Sequence, residues 1–196
     1  ILTDVDLSGK DLSNTILTGA DLSNTILTDV DLSGKDLSNT ILTDVDLSGK
    51  DLSNTILTNS ILTNVKLIKV KGPNSDFSST VMMNVEISQS DLSSADFSNS
   101  TMLNLKSVGT IFSNSDFSYS QILDSNLIGS HLDYSDLSYM KFSNSNLFGV
   151  NFSNSKIYST IMESTNIKNV NFEYAILENS KFVEITMNCI NHRICE

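Results

Sequence analysis

The stretch ILTDVDLSGKDLSNT occupies residues 1–15 and returns unchanged at 26–40 and 41–55. It is written in five-residue units, and its period decides the fold. Large apolar residues stand at 2, 7, 12, 17 and onward in steps of five to 187. Leu, Phe, Ile or Met fills 36 of these 38 centre positions, the exceptions being Gly72 and Ser107. Two residues before each centre runs a second column, from Val5 to Ile190, which is Ala, Ser, Thr or Val at 31 of 38 positions. Two residues after each centre runs a third, from Asp4 to Cys189, which is Asn, Asp or Gly at 26 of 38. No insertion breaks the frame.

A helix cannot use this pattern. Five residues advance it by about 500°, so successive centres would scatter around the axis. A plain strand cannot use it either, because side chains alternate with period two and an odd repeat throws every other centre outward. Each unit must therefore reset its phase at a corner. Asn, Asp and Gly tolerate φ > 0, which the third residue of a type II turn requires, so the third column marks the corners. Each pentapeptide is then a short extended side plus a turn. The centre and the small residue two before it point inward, and the other three point out. Stacked coils pair as β-ladders about 4.8 Å apart.

Units such as ADLSN (20–24), ADFSN (95–99) and SDFSY (115–119) resemble the pentapeptide-repeat family, and the resemblance covers essentially the whole chain. It implies an all-β, right-handed, four-sided parallel β-helix with about twenty residues per coil. At 196 residues that makes about ten coils and a rod of roughly 45–50 Å. The copies of the opening phrase are spaced by 25 and then 15 residues, so only multiples of five are respected. The number of sides is taken from the resemblance. We expect one domain over 1–188 and a tail over 189–196. Three features depart from the pattern. Lys10, Lys35 and Lys50 stand in the inward small column, where their amines are expected to snorkel out at corners. Leu105, Met140 and Ile185 are large for that column. In KVKGPNS (69–75) a centre is Gly72 with Pro73 beside it, and a bulge or loosened corner is expected there.

Composition narrows the function classes. The chain has 12 Lys and Arg against 23 Asp and Glu, a formal net charge of −11. Such a surface repels phosphates, so nucleic acid is not expected as a direct ligand. No apolar run approaches membrane-spanning length, and no basic stretch followed by an apolar one opens the chain. A cytoplasmic location and no membrane insertion are expected, and a start without Met reads as that of a fragment or processed product. Two His, no Gly-rich phosphate loop and no metal cluster argue against an enzyme, and no cofactor is expected. Ser113, His131 and Asp133 share one side and form a triad on paper, but Ser is so common outside that the coincidence is cheap and no cleft excludes water. The tail places Cys189, His192 and Cys195 at three-residue intervals, one ligand short of a structural zinc set. A local disulfide or free thiols fit it better. An array of Thr3, Thr43 and Thr63 is interrupted by Ser23 and ends at Met83, too irregular for an ice-binding lattice.

Sorting the outward residues by a twenty-residue coil gives two candidate partner surfaces. An acidic face carries Asp36, Asp76, Asp96, Asp116 and Asp136 just before its centres, with Tyr119 and Tyr139 beside them and Tyr158 next along. The neighbouring face adds Asp11, Asp31, Asp51 and Asp91. On the other side an apolar stripe presents Ile41, Ile61, Val81, Met83, Leu103 and Leu123, and the adjoining face adds Ile68, Val108, Ile128 and Phe148. A solenoid buries its core without building a pocket, so its useful product is extended surface. We therefore expect a non-enzymatic interaction or scaffold module acting through a protein partner or self-association. The alternative, implied by the resemblance, is an acidic DNA mimic that binds a type II topoisomerase such as DNA gyrase. Its length and sign fit, but −11 along about 48 Å is one charge per about 4.4 Å, against about 1.7 Å for duplex DNA.

Overall fold

The computed structural model describes residues 2–190, and the repeat frame carries through all of them. Three-residue strands recur every twenty residues: β1 (Ile41–Thr43), β2 (Ile61–Thr63), β3 (Val81–Met83), β4 (Thr101–Leu103), β5 (Gln121–Leu123), β6 (Lys141–Ser143) and β7 (Ile161–Glu163). After β8 (Asn166–Asn171), β9 (Lys181–Val183) completes an eight-stranded parallel sheet, and β10 (Thr186–Ile190) pairs with β8. Register is constant: Ile41 faces Ile61, Ile61 faces Val81 and Val81 faces Thr101. Twenty residues per turn divided into five-residue units makes four sides, which settles the number that the fifteen-residue phrase left open. Among the described residues there is no helix. The expected ten coils are slightly too many. The strand ladder spans seven turns from β1 to β9. Before Ile41 the coils continue without regular strands, joined by isolated bridges such as Asp6 with Ile26 and by backbone bonds such as Leu7 N–H to Ile26 C=O at 2.8 Å.

Four successive centres, Leu42, Leu47, Leu52 and Leu57, name the four faces. Their columns are buried almost without exception, and each buried Leu or Phe contributes roughly 1.5–3 kcal/mol before chain entropy is set against it. On the Leu57 face Phe77, Phe97 and Phe117 stack at 5.0 and 4.8 Å, one ring per coil. The corners follow the sequence reading closely. From Asp4 to Glu184 every residue of the third column except Asn14 has φ between 49° and 73°. Lys69, Gln89 and several Tyr obey it too, so the frame overrides residue preference.

The stretch around Pro73 is regular, contrary to the expected bulge. Gly72 donates to Asp91 C=O at 2.7 Å, Asn54 donates to Pro73 C=O at 3.1 Å, and Ser75 closes the turn onto Gly72 C=O at 3.3 Å. Pro73 occupies the second position of this turn, where its fixed φ is wanted. In other coils the N–H at that position bonds an Asp side chain, as in Ser53 to Asp51 at 2.9 Å, so proline removes no ladder bond. Leu92 turns into the space where Gly72 lacks a side chain; a Cβ there would meet its Cδ2 at 2.8 Å.

Two of the three misfit lysines, Lys35 and Lys50, reach backbone carbonyls of the preceding coil, and Lys10 is exposed. Lys35 donates to Leu12 C=O and, at 2.7 Å, to Ser13 C=O, and Lys50 donates to Val30 C=O at 3.2 Å. Burial holds the Lys50 amine below its ordinary pKa. Leu105 and Met140 point inward and are buried. Ser107 is different: it fills a centre, and its buried hydroxyl finds no partner. Leaving such a group unsatisfied costs about 1–3 kcal/mol. Ser107→Ala is therefore expected to stabilise the fold by about 1 kcal/mol in urea unfolding, and a loss of stability would show that the hydroxyl is satisfied in solution.

Candidate interaction surfaces

The acidic row is built by the register. Asp76, Asp96, Asp116 and Asp136 bridge one another on consecutive coils of the Leu57 face, and Lys156 ends the row. Each carboxylate accepts the backbone N–H two residues on, from Ser78, Ser98, Ser118 and Ser138 at 2.8, 2.8, 2.8 and 3.0 Å. The aspartates therefore shape their own turns as well as charging the face. Lys156 pairs with Asp136 at 3.3 Å. Burial pushes the Asp136 carboxyl up, but bonds from Ser138 and Lys156 outweigh it and hold it below its ordinary pKa. Asp36 stands apart, because Ile56 lies between it and Asp76. Its hydrogen bond from the Ser38 side chain leads the causes that hold it below the usual range.

Beside this row Tyr119 and Tyr139 stack at 4.8 Å with 7° between planes, and Tyr158 meets Tyr139 edge-on at 5.5 Å. Burial against these neighbours pushes the Tyr139 hydroxyl above its ordinary pKa. The neighbouring Leu52 face is partly compensated. Lys71 lies between Asp51 and Asp91 in the row and pairs with Asp51 at 2.8 Å. Bonds from Lys71 and then Ser53 pull the Asp51 carboxyl down to about 2.

The apolar residues fall on the Leu42 face in two rows. Ile41, Ile61 and Val81 stand in register on one edge of β1–β3, and Met83, Leu103 and Leu123 on the other edge of β3–β5. Ile41, Ile61, Val81 and Leu103 are 39–40% exposed, whereas Met83 and Leu123 are half-buried. Phe148 stands exposed on the adjoining Leu47 face with half-buried Ile128 and Val108. The corner between these faces carries an amide ladder that sequence reasoning missed. Asn64 donates to Asp44, Asn84 to Asn64 and Asn104 to Asn84 at 2.9, 3.0 and 2.8 Å. The signal was present as Asn at every fourth unit of the third column.

The paper triad does not assemble. Ser113 donates directly to Asp133 at 2.9 Å, while His131 Nδ1 lies 3.9 Å from that same carboxylate oxygen. The acid thus holds the serine, where acyl transfer needs the imidazole between them. His192 and Cys195 lie outside the described residues, and β10 places Cys189 only by its backbone. No helix of the described residues is long and apolar enough to cross a membrane.

A family model described as pentapeptide repeats matches in eight copies, over residues 2–34, 27–59, 36–71, 60–99, 110–147 and 145–182. No characterised protein sequence matches the chain. Solved structures resemble it at low identity. A trypsin-treated form of QnrB1, a plasmid-mediated fluoroquinolone resistance protein, is 16% identical with a TM-score of 0.46, covering 91% of this chain and 89% of its own. HetL, involved in heterocyst differentiation regulation in the cyanobacterium Nostoc, is 20% identical with a TM-score of 0.30, over 92% and 84%. A thylakoid-lumen protein of Arabidopsis thaliana is 22% identical with a TM-score of 0.23, over 63% and 68%.

Proposed function

This chain belongs to the pentapeptide-repeat family, and we propose that it is a non-enzymatic scaffold that holds a protein partner, or a second copy of itself, against the flat face of β1–β5. One observation carries this reading. On a chain of net charge −11, the outward positions of these five strands hold Ile, Thr, Val, Met, Leu and Gln and no charged residue. Charge returns at β6 with Lys141, which pairs with Glu163 of β7 at 3.1 Å. An uncharged, partly apolar panel costs little to desolvate, which is what the centre of an interface needs. Catalysis has no comparable support, since the core is filled and Ser113, His131 and Asp133 are wrongly ordered. The topoisomerase alternative rests on the acidic row, which sets one carboxylate per coil of about 4.8 Å against one charge per about 1.7 Å of duplex DNA.

The test is Leu103→Lys combined with Leu123→Lys. Solution mass by light scattering, and the proteins retained from extract in high salt, are expected to fall to those of a bare monomer. Unfolding is expected to stay within about 0.5 kcal/mol of the parent, because both positions face out. If parent and variant have the same mass and retain the same proteins, the panel is only surface.

A further inference from the structure

Four of the five tyrosines, Tyr119, Tyr134, Tyr139 and Tyr174, occupy corner positions with φ of 58–61°. Asn or Gly holds that conformation at lower cost, and they fill most of the column. The fold thus spends stability to set large rings outside, and Tyr119 and Tyr139 are 58% and 48% exposed. Their centroid spacing of 4.8 Å and near-parallel planes match one coil step, so the rings stack along the rod. With Tyr139 on one side of it, Tyr119 has on the other side the preceding coil, whose corner residue is the short, exposed Asn99. Across the half-buried Ser98, Ser118 and Ser138 stand Asp96, Asp116 and Asp136. Among the described residues, Asp76, Asp96 and Asp116 form no ion pair. The register thus sets a carboxylate row and an aromatic row on either side of a half-buried serine row, as a three-row strip.

A planar cation suits this combination. A guanidinium stacks on a tyrosine face and donates in-plane to a carboxylate at the same time, whereas an ammonium offers a point charge without a plane. We propose that this strip binds an extended, arginine-bearing segment of a protein, with one guanidinium continuing the Tyr139–Tyr119 stack at the level of Asn99 and pairing with Asp96 or Asp116. This site lies on a different face from the β1–β5 panel and does not depend on the reading given to that panel.

The probe is fluorescein-labelled octa-arginine, compared with octa-lysine, titrated onto the intact chain by anisotropy in about 0.15 M salt, where unspecific attraction is screened. Octa-arginine is expected to bind about fivefold tighter than octa-lysine, the worth of one partly desolvated cation–π contact. Tyr119→Asn with Tyr139→Asn is expected to remove that advantage and leave octa-lysine binding unchanged. Asp96→Asn with Asp116→Asn is expected to weaken both peptides. Asn suits the corner conformation, so the tyrosine variant folds and a thermal melt confirms it. Equal affinities for the two peptides overturn the proposal. So does an unchanged octa-arginine affinity in the folded tyrosine variant, or binding of neither peptide.

Discussion

Replacing Phe97 by Ala is expected to cost the fold about 3–5 kcal/mol, the usual range for removing a fully buried aromatic ring. Phe97 is the middle of a three-ring stack, 5.0 Å from Phe77 and 4.8 Å from Phe117, and Phe112 meets it edge-on at 5.5 Å. The ring is completely buried. Its neighbours cannot close the gap, because the ladders above and below hold each coil at a fixed height. The architecture adds a second consequence. A solenoid's stability is a sum of units and nearest-neighbour contacts, so a defect in mid-rod separates two blocks that otherwise unfold together. Urea unfolding followed by circular dichroism should therefore show an earlier and broader transition. Phe182 provides the control. It sits near the end of the described ladder, is only half-buried and touches Phe172 edge-on at 6.4 Å. Phe182→Ala is expected to cost no more than about half as much, since less area leaves water. Equal losses in the two variants would show that the mid-rod stack adds nothing beyond burial of a single ring.

That contrast marks what the sequence displays and what it hides. The centre column names the core residue by residue, because one apolar side chain per unit must go somewhere and only one direction is dry. The corners are equally legible where they are Asn, Asp or Gly, since these residues announce φ > 0. They are illegible at Lys69, Gln89 and Tyr139, which adopt the same φ because the units on either side impose it. The number of sides was hidden too, since every multiple of five preserves the phase, and only the register of Ile41 on Ile61 separates three sides from four. Pro73 misled for a local reason: proline in a ladder usually removes a donor, but this turn position has no ladder bond to lose. The candidate surfaces were readable as rows. Their charge balance was not, because pairings such as Lys71 with Asp51 and Lys156 with Asp136 depend on which residues meet one coil apart.

The corner conformation itself is the most testable of these features. Asn84 has φ of 56°, donates to Asn64 at 3.0 Å and accepts from Asn104 at 2.8 Å. Asn84→Val removes both ladder bonds and forces a β-branched residue into the left-handed region. The strain is worth about 1–3 kcal/mol and the exposed bonds about 0.5–1 kcal/mol each, so a loss of roughly 3 kcal/mol is expected. Asn84→Gly loses the same bonds but keeps the conformation at little strain, and should cost about 2 kcal/mol, part of it through greater freedom in the unfolded chain. Tyr139→Asn runs in the opposite direction, relieving a strained corner, and should gain about 0.5–1 kcal/mol less whatever the Tyr119 stack contributes. The three variants, measured together by urea unfolding, separate backbone from side chain. If Val and Gly at position 84 cost the same, the corner is held by its amide ladder and φ > 0 is free. If they differ by the expected margin, each corner filled by Tyr, Lys or Gln carries a conformational cost that the stacked coils absorb, and the tyrosines are where that cost most needs a functional return.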